Sequence, residues 1–472
     1  MASVFVIADD YTGALDTGAQ FAASGASVYV TTIDNITDAD APDLFDQACD
    51  YDVYVVDAES RHLPPNLAAG RVRMLAWAAF QLGFSYYYKK TDSALRGNIG
   101  AELAAMIEAN GDASLAFVPA YPKSARVTIN GIQYIGGIPL AESVFAQDPH
   151  SPVKYSRIES IILEQAPICT ISIPASCYAL CCNKNAAENN DEILTRCKNE
   201  NTGAKASKII EIYDAQSDDD LASLGKYLKS NKKLRSLAGC AGFASVLPEL
   251  YGIGKYAAKT PHQYCHDDKM INPKNPIYIG DSNVFSKSML LITGSVNPIT
   301  FQQLAKAEDA GFKTIILTPE QKLSCLSTKP TVSTVSATEV IAGALREHGR
   351  VIVAAAMNQS DVNDTDSYAR KHGIPGSDLR KRICENIGEI ATSLIKQYHV
   401  GTLAVFGGDT LYEIIRQAKI SAISPIRELA PGIVESKILT ETYAERLISK
   451  SGGLGSINSL QIICDRGDGT FL

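Results

Sequence analysis

The stretch KKTDSALRGNIGAEL, residues 89–103, follows a strand-like run of aromatic residues and leads into a helical pattern. It places two lysines, an aspartate and an arginine where the strand gives way to the helix. Backbone N–H groups at a helix N-terminus and the helix dipole attract anions, and α/β proteins hold ligands at such junctions. The stretch therefore predicts a strand–helix unit of an α/β fold with a ligand site at the end of the strand.

Strand-like and helix-like segments alternate on both sides of this stretch. Apolar runs that predict strands lie at residues 3–8, 27–31, 53–57, 84–90 and 115–119, and again at residues 289–293, 313–317, 350–356, 402–406 and 446–450. Helical patterns lie at residues 13–24, 64–82, 99–110 and 378–396. Such alternation is typical of parallel strands joined by crossover helices. The predicted fold class is α/β, with two domains that each contain a mainly parallel sheet flanked by helices.

The length of 472 residues exceeds what one hydrophobic core usually organises, so two domains of roughly 200 to 250 residues are expected. Residues 260–287 contain several Pro and Asn residues and show poor periodicity, which suits an interdomain linker. The predicted organisation is a first domain at residues 1–259, this linker, and a second domain at residues 288–472. The polar segment at about residues 183–235 predicts exposed helices and loops.

Composition narrows the function classes. Apolar residues make up 46% of the chain, and the formal net charge of −8 argues against wholesale nucleic-acid binding. The N-terminal MASVFVIADD predicts neither a signal peptide nor a membrane anchor, and eleven cysteines without a secretion signal favour reduced thiols in the cytoplasm. The Cys and His clusters at residues 177–182 and 262–266 lack zinc-finger spacing, so the sequence identifies no metal ligands.

Charged residues follow three predicted strands of the first domain, and the carboxyl ends of parallel strands form the ligand crevice of such sheets. Asp9 and Asp10 leave the first strand before a helix that Thr12 is placed to cap. A helix cap explains one aspartate but not two. After the third strand, Arg61 offers a planar guanidinium that can hold a carboxylate, although a surface salt bridge would give the same pattern.

The stretch at residues 89–103 supplies the third group of charges. Lys89 and Lys90 must point to opposite faces while they lie in a strand, so at most one needs to face the crevice. Asp92 and Arg96 then lie around the turn, and Gly97 gives the backbone freedom before the helix. A solvated turn with capping residues is the structural alternative. Clustered charges at the end of a buried strand favour the functional interpretation.

The second domain carries glycine clusters at strand ends. Residues 407–408 lie between a strand and a helix, where bare backbone N–H groups can approach a phosphate. Asp409 and Thr410 are placed either to cap that helix or to help hold a phosphate-bound cation. Together with the glycines of residues 449–456 and the stretch TGSVNPIT at residues 293–300, they predict a nucleotide cradle.

Several known catalytic and nucleotide motifs are absent from the sequence. It contains no Walker A P-loop, no HExxH motif and no GxSxG motif. YGIGKYA at residues 251–257 resembles a dinucleotide fingerprint, but it follows LPEL rather than a strand. It predicts a helix end, so a nicotinamide site is not expected.

Six separated motifs, which together cover both halves of the chain, resemble those of the four-carbon acid sugar kinase family. They lie in order at residues 7–18, 89–103, 117–134, 291–300, 405–410 and 449–456. The resemblance implies phosphorylation of tetronates or 3-oxo-tetronates with ATP, with the sugar acid bound by the N-terminal domain and the nucleotide by the C-terminal domain. It also implies sugar-acid contacts from Asp10, Arg61, Lys89, Lys90, Thr91 and Asp92, and ATP contacts from Ser295, Gly407, Gly408, Asp409, Thr410, Gly452 and Gly453.

The residues of the first domain are consistent with such a reaction. A tetronate carries one carboxylate and several hydroxyls, so its recognition needs cations and acidic acceptors. Phosphoryl transfer adds Mg²⁺, a carboxylate near the reacting hydroxyl and closure of the domains to exclude water. We expect Asp10 or Asp92 to be the base and Lys90 or Arg96 to neutralise the charge that develops on the phosphate. The sequence does not identify the Mg²⁺ ligands.

Two other interpretations stay open at this point. An acid-sugar dehydrogenase or isomerase on the same architecture would need a nicotinamide or a metal, and a non-catalytic sensor of sugar acids would not need the glycine turns. The choice among D-threonate, D-erythronate and a 3-oxo-tetronate is also open, because an inverted hydroxyl changes the ligand but not the residue types that bind it. The expected partners are the sugar acid and ATP, and the commonness of two-fold assemblies suggests a homodimer.

Overall fold

The chain forms two compact units, Met1–Tyr264 and Cys265–Leu472. The structure, a computed structural model, describes residues 4–35, 50–148, 151–179, 208–256, 288–324, 332–398, 400–439 and 444–467. Both units have the α/β architecture that the sequence predicts. The predicted linker at residues 260–287 lies outside the described residues, so the linker and the domain bounds placed around it stay predictions.

The first unit alternates strands and helices along its first half. Its elements are β1 (Val4–Ala8), α1 (Tyr11–Ala22), β2 (Val28–Thr32), β3 (Val53–Asp57), α2 (Pro65–Gln81), β4 (Tyr86–Lys90), α3 (Ile99–Asn110) and β5 (Ser114–Val118). A small antiparallel sheet follows, with β6 (Arg126–Ile129), β7 (Ile132–Ile135) and β8 (Ile138–Pro139). The unit continues with α4 (Ile158–Gln165), β9 (Cys169–Ile173), α5 (Ser176–Ala179), β10 (Ile209–Tyr213), α6 (Asp218–Ser230), β11 (Ser236–Gly239), α7 (Ala241–Ala244) and α8 (Leu247–Tyr251).

The main sheet of the first unit has the strand order β2-β3-β1-β4-β11-β5-β10-β9, and all of these neighbours are parallel. Every residue of β1 and β3 is buried, as expected for a parallel sheet covered on both faces. In the register of β1, Ala8 lies opposite Asp57 of β3, and Ile7 lies opposite Lys89 of β4. The carboxyl ends of these three strands therefore meet at one edge of the sheet.

The structure corrects the prediction for the polar segment. Within its described part, β10 is a buried strand between β5 and β9, and Leu221, Leu224 and Leu228 of α6 are buried. The prediction of exposed helices and loops therefore missed the strand at residues 209–213, whereas the predicted helix is present as α6 and buries one face. A short apolar run among many Asp and Lys residues gives a weak signal, although a parallel strand needs only five residues. Residues 180–207 lie outside the described residues.

The N-terminus of α1 also differs from its prediction. Asp10, not Thr12, is the N-cap residue, because the Asp10 carboxylate accepts a hydrogen bond from the backbone N–H of Gly13 at 2.9 Å. Thr12 lies inside the helix, and its hydroxyl donates to Asp10 at 2.8 Å. One aspartate thus caps the helix and also belongs to the charged cluster described below.

The second unit restarts the alternation. Its elements are β12 (Met289–Thr293), α9 (Pro298–Leu304), β13 (Lys313–Ile316), α10 (Pro319–Leu323), α11 (Val332–His348), β14 (Arg350–Ala354), α12 (Gln359–Lys371), α13 (Gly376–Gln397), β15 (Val400–Phe406), α14 (Gly408–Ala418), β16 (Ile423–Ala430), β17 (Ile433–Ile438), β18 (Ala444–Lys450) and α15 (Ser459–Gly467). The order of its strands is β13-β14-β12-β15-β18-β17-β16. The neighbours from β13 to β18 are parallel, whereas β17 pairs antiparallel with both β18 and β16.

Each unit has its own buried apolar core. In the first unit the core includes Leu103, Phe117 and Ile162, and in the second it includes Leu291 and Phe406. Among the described helices, none combines the length and the apolar character that crossing a membrane requires.

Two glycines in helices of the first unit make a matched test of this packing. A Cβ atom at Gly100, in α3, would overlap the backbone of Ile162, whereas a Cβ atom at Gly70, in α2, would meet nothing within 4 Å. We expect Gly100→Ala to lower the free energy of unfolding by about 1–3 kcal/mol through overpacking, and Gly70→Ala to raise it by about 0.5–1 kcal/mol. Chemical denaturation of both variants measures the difference. Equal effects of the same sign would contradict the described contact between α3 and α4.

Candidate functional site

A cluster of charged side chains occupies the carboxyl edge of the first sheet, and Arg61 is at its centre. The Arg61 guanidinium donates from Nε to Asp9 Oδ2 at 2.7 Å and from Nη1 to Asp10 Oδ2 at 2.7 Å. Its Nη2 lies 4.0 Å from Asp92 Oδ1. The guanidinium therefore joins residues that follow β1, β3 and β4, as the strand register requires.

Lys90 and Asp10 approach each other over the start of α1. A Cβ atom at position 13 would come within 2.5 Å of Asp10 Oδ1 and within 2.8 Å of Lys90 Nζ, so only glycine fits there without displacing one of them. Lys90 is buried, and its Nζ donates to the carbonyl of Thr91 at 2.7 Å. Gly13 thus permits a cation and a carboxylate to come close to the helix N-terminus.

Lys89 and Thr91, which are also predicted to contact the substrate, have structural partners. Lys89 is fully buried and forms an ion pair with Glu102 of α3 at 2.7 Å, so it points to the face opposite Lys90. The Thr91 backbone N–H donates to the carbonyl of Gly239 at 2.8 Å, which ties the end of β4 to β11. The structure therefore brings Asp10, Arg61 and Lys90 together but pairs Lys89 with α3.

Asp92 and Arg96 form the second part of the cluster. Arg96 donates from Nε to Asp92 Oδ2 at 2.7 Å and from Nη2 to Asp92 Oδ1 at 3.2 Å, which is a bidentate contact. Its Nη1 donates to Asp148 Oδ2 at 3.0 Å. The turn predicted at residues 91–97 is therefore a buried ion-pair network rather than a solvated loop.

Arg126 also belongs to this region, although the sequence did not predict a role for it. It is buried, it hydrogen-bonds the hydroxyl of Ser93, and its guanidinium lies 5.4 Å from the centre of the Phe145 ring. The Arg96 guanidinium lies 5.2 Å from the same ring. The motif at residues 117–134, which contains Arg126, was the available signal. That motif runs from a strand through a turn into a small antiparallel sheet, and residue spacing in such a segment does not predict where a side chain points.

The positive charges of the cluster lower the pKa values of two of its carboxyl groups. Burial alone would raise the pKa of Asp92, but Arg96 and Arg61 outweigh burial and hold the pKa well below its ordinary value. Burial would also raise the pKa of Asp9, but the positive charges of Arg61 and Lys90 outweigh burial, so the pKa of Asp9 is lowered. Both groups therefore carry a negative charge at neutral pH.

Asp57, the last residue of β3, behaves differently. Burial raises the pKa of Asp57 well above its ordinary value, and the neighbouring charges of Asp10 and Asp9 raise it further. Its Oδ1 accepts the backbone N–H of Glu59 at 2.9 Å, and its buried Oδ2 accepts no hydrogen bond from the described residues. The edge of the sheet thus places one carboxyl with a raised pKa beside carboxylates that arginine keeps ionised.

A cavity of about 600 Å³ opens beside the cluster, and Arg61, Arg96 and His62 line it. Asn98 fixes the loop that carries Arg61, because its Nδ2 donates to the carbonyls of Ser60 at 2.8 Å and Leu63 at 2.9 Å. Ligand pockets of roughly 300–1,000 Å³ are common, so the cavity is large enough for a small sugar acid.

Gly97 is the second residue that sets this loop. It adopts a φ of 83°, and a Cβ atom there would lie 3.0 Å from both Cγ and the carbonyl oxygen of Arg61. Glycine is therefore favoured at position 97 for two reasons: it adopts a positive φ without strain, and it leaves room for Arg61.

The predicted nucleotide residues of the second unit also come together. Gly407, with a φ of 106°, is the N-cap residue of α14, and a Cβ atom there would lie 3.9 Å from Ser295 Cβ and 3.7 Å from Thr410 Oγ1. A Cβ atom at Gly452 would lie 3.7 Å from Ser295 Oγ. Gly408 is the first residue of α14, and Gly453 lies in the same turn as Gly452. The two glycine turns and the loop after β12 thus surround one helix N-terminus.

Side chains fix the positions of these loops. Thr410 Oγ1 accepts the backbone N–H of Gly294 at 3.2 Å, and the hydroxyls of Ser295 and Thr300 lie 3.1 Å apart. Bare backbone and hydroxyl groups at the N-terminus of an eleven-residue helix are the groups that bind phosphate in other proteins.

Asp409, the predicted cation-placing residue, has a protein partner. Arg380 of α13 donates from Nε to Asp409 Oδ2 at 2.8 Å, and its Nη2 contacts the other carboxylate oxygen. Arg380 was not predicted from the sequence, because it lies on a helix far from the glycine motif in sequence. Within the described residues, no group of three or more His, Cys, Asp or Glu side chains is placed to hold a metal ion.

These features define a class of two-domain α/β proteins that have a charged cluster at the sheet edge of one domain and glycine turns around a helix N-terminus in the other. A family model described as a sugar-binding N-terminal domain matches residues 4–247, and one described as a nucleotide-binding C-terminal domain matches residues 290–460. The chain belongs to the four-carbon acid sugar kinase family, whose members are phosphotransferases. The resemblance of the six sequence motifs is thereby confirmed.

Relatives that are named as kinases of four-carbon acids span nearly the whole chain. A D-threonate kinase of Salmonella typhimurium strain LT2 is 26% identical over 466 residues, covering 98% of this chain and 97% of the relative. A D-erythronate kinase of Heliobacterium modesticaldum is 26% identical over 462 residues, covering 96% and 94%. A 3-oxo-tetronate kinase of Methylobacterium radiotolerans is 24% identical over 459 residues, covering 95% of each.

Two solved structures share the fold. A crystal structure of a protein from Salmonella typhimurium LT2 has a TM-score of 0.70 at 19% identity and covers 98% of each chain. A crystal structure of a Haemophilus influenzae protein has a TM-score of 0.62 at 18% identity, covering 98% of this chain and 100% of the other. The predicted α/β fold with two domains is confirmed.

The opposite pKa shifts predict opposite pH dependences for two variants. Because the pKa of Asp57 is raised on folding above its ordinary value of 3.8, the contribution of Asp57 to wild-type stability falls as pH rises above that value, since unfolded chains release a proton that folded ones keep. We expect Asp57→Asn to remove this loss, so that the variant gains stability relative to wild type on going from pH 4 to pH 8.

Asp92→Asn is the matched comparison. Its lowered pKa gives a contribution to stability that is present above 3.8 and is lost as pH falls through the folded-state pKa, so this variant should be more destabilised at pH 8 than in acid. Urea denaturation measures Asp57→Asn between pH 4 and pH 8, and it measures Asp92→Asn from pH 8 down to about pH 2, because the Asp92 contribution is lost only below 3.8. The same pH slope in the two variants would show that the carboxyl environments are not those described.

Proposed function

We propose that this protein is an ATP-dependent kinase that transfers the γ-phosphoryl group of ATP to the terminal hydroxyl of a four-carbon acid sugar. Membership of the family supports the class of reaction. The three relatives that span the chain are named for D-threonate, D-erythronate and 3-oxo-tetronate, which are therefore the candidate substrates.

The Arg61 cluster is the observation that carries this proposal. A sugar acid presents one carboxylate and several hydroxyls, and the cluster combines guanidinium donors with carboxylate acceptors. Arg61 and Arg96 line the cavity, and the carboxylates of Asp10 and Asp92 lie behind them in contact with these arginines. In the proposal, Arg61 or Arg96 binds the carboxylate of the substrate, and Asp10 and Asp92 accept hydrogen bonds from its hydroxyls. In the proposal, Lys89 and Thr91 support the site indirectly, because they hold β4 against α3 and β11.

The nucleotide site is proposed at the turns around α14. Gly407, Gly408, Gly452 and Gly453 leave backbone N–H groups without side-chain cover, and Ser295 and Thr410 add hydroxyls. The dipole of α14 favours a phosphate at its N-terminus. The same donor set suits the β- and γ-phosphates of ATP.

Mg²⁺ is proposed as the metal that accompanies ATP. The donor set fits a metal held mainly by the phosphates themselves, because the described residues near the turns offer one carboxylate, Asp409, and the hydroxyl of Thr410. When bound, Mg²⁺ would supply positive charge that offsets the charge developing on the transferred group. Arg380, which contacts Asp409, would then orient that carboxylate.

Asp10 is the better candidate for the base. Arg96 contacts both oxygens of Asp92 and, with Arg61, lowers its pKa, which makes Asp92 a weak proton acceptor. Asp10 receives one arginine contact, together with hydrogen bonds from Thr12 and Gly13 at the N-terminus of α1. In the proposal, Asp10 orients the terminal hydroxyl and accepts its proton, and Lys90 stabilises the charge of the transferred phosphate.

A cytoplasmic location and a homodimeric assembly complete the proposal. Cys169, Cys240 and Cys384 are free thiols, which suits a reducing compartment. Two-fold symmetric dimers are the commonest assemblies of soluble enzymes.

An ATP-consumption assay with D-threonate, D-erythronate, L-threonate and 3-oxo-tetronates tests the reaction and its stereochemistry. We expect ADP formation that depends on one or more of these acids and on Mg²⁺. A requirement for a nicotinamide cofactor would instead support a dehydrogenase. Binding of a sugar acid without ADP formation under any condition would support a sensor and would reject the kinase proposal.

Asp10→Asn tests the assignment of the base. We expect kcat to fall about 100-fold or more, because general-base catalysis contributes roughly 10²–10⁴-fold, while the sugar acid still binds. Asp92→Asn should mainly raise KM, and Asp309→Asn, at an exposed carboxylate of the second unit, should change neither. Steady-state kinetics of the three variants, with circular dichroism as a folding check, separate these effects. Undiminished turnover in Asp10→Asn would reject its role as base.

A further inference from the structure

Lys450 is a buried lysine at the glycine turn of the second unit. It is the last residue of β18, none of its surface is exposed, and its backbone lies between Phe406 of β15 and Ile433 of β17. Its carbonyl accepts the backbone N–H of Gly407 at 3.0 Å. The residue therefore links the two glycine turns through its main chain, and its side chain lies under one of them.

The Lys450 amine has polar neighbours but no ion-pair partner among the described residues. Its Nζ donates to the carbonyls of Ser451 at 3.0 Å and Gly452 at 3.1 Å, and it lies 4.9 Å from the centre of the Phe406 ring. Carbonyls and an aromatic face attract a cation, but they do not neutralise its charge.

The acidic residues on the neighbouring elements are engaged elsewhere. Glu435 of β17 pairs with Arg427 and Arg446, each at 2.7 Å. Glu428 of β16 accepts the backbone N–H of Gly432 at 3.0 Å, and Asp409 of α14 pairs with Arg380. Helix α9 and strand β15 contain no Asp, Glu, Lys, Arg or His. Glu413 of α14 pairs with Arg416 at 2.7 Å. Within the described residues, the buried amine of Lys450 therefore makes no ion pair.

A buried ammonium without a partner is costly, so the neutral amine is favoured until an anion arrives. Burial accordingly lowers the pKa of Lys450 to about 7. A phosphate at Gly452 and Gly453 would supply the missing negative charge, because the amine already contacts the backbone of that turn. The ammonium form would then be stabilised.

We propose that Lys450 is a phosphate-binding residue whose amine takes up a proton from solvent when the nucleotide binds. This inference rests on the proposed nucleotide site in the second unit. No covalent bond changes: the neutral amine gains one proton, and the resulting ammonium forms a charge-assisted hydrogen bond with a phosphate oxygen. Nucleotide binding is then linked to pH through a residue that the protein otherwise keeps neutral.

Calorimetric titration of the full-length protein with ATPγS tests the proposal. The titration is repeated in buffers of different ionisation enthalpy, which reveals the number of protons taken up, and the thiophosphate of this analogue is already ionised at the pH values used. We expect uptake of nearly one proton at about pH 8, falling to about half a proton at pH 7, because an amine with a pKa of about 7 is half charged there before binding. Binding without proton uptake at pH 8 would overturn the proposal.

Two lysine variants complete the experiment. Lys450→Met should abolish the proton uptake and weaken ATPγS binding about 10- to 100-fold, as expected for loss of a hydrogen bond to a charged group. Lys322→Met is the matched control, because Lys322 is also a buried lysine of this unit that donates to a backbone carbonyl, that of Ala355 at 2.9 Å. It should retain the proton uptake, and circular dichroism checks the fold of both variants.

The possible failures are distinguishable. Unchanged affinity and proton uptake in Lys450→Met, with normal binding by wild type, would reject the role of Lys450 and leave the kinase proposal intact. An absence of ATPγS binding by wild type would reject the nucleotide site itself, and the role of Lys450 with it.

Discussion

The charged edge of the first unit depends on the ion pairs that the Arg61 guanidinium forms with Asp9 and Asp10. Asp9 and Asp10 follow β1 directly, and their carboxylates would repel each other and lose hydration if no cation lay between them. Arg61 donates to both at 2.7 Å and also faces Asp92. In general, removing one partner of a buried ion pair costs about 3–5 kcal/mol, so the guanidinium is a structural requirement as well as a candidate ligand. Gly97 and Asn98 hold the loop that presents it.

The two units handle buried charge in contrasting ways. In the first unit, the carboxylates and guanidiniums compensate one another within the protein, so the site can exist with its charges in place before a ligand binds. In the second unit, the amine of Lys450 has no described counter-ion, and the glycine turns expose backbone N–H groups. Such a site gains a compensating charge only with an anion. The difference matches a polar sugar acid for one unit and a polyphosphate for the other.

Much of this arrangement follows from local sequence. Apolar runs of five to seven residues fixed the parallel strands, and the strand register then brought Asp10, Arg61 and Lys90 to one edge, as predicted from the ends of their strands. The opposite orientations of Lys89 and Lys90 followed from the two-residue period of a strand. The glycine turns at residues 407–408 and 452–453, which the sequence places after two predicted strands, also lie close together.

Contacts that depend on distant segments were not predictable in this way. Arg126 and Arg380 reach the two sites from an antiparallel strand and from a long helix, and no periodic pattern says which turn of a fold they will face. The sequence offered Thr12 and one of the two aspartates as helix caps, and the hydrogen bond from the backbone N–H of Gly13 identifies Asp10 as the cap. The strand at residues 209–213 was hidden by its polar surroundings, since burial of a five-residue run depends on its neighbours in the sheet.

The central claim is that phosphate passes from ATP to the terminal hydroxyl of a four-carbon acid held among the charges of the first unit. ³¹P NMR of the products formed from Mg-ATP and D-threonate, D-erythronate or a 3-oxo-tetronate tests it most directly. We expect ADP together with a new phosphomonoester signal that couples to the protons on C4 of the acid. Signals from ADP and inorganic phosphate alone, or unchanged ATP with every acid, would contradict it.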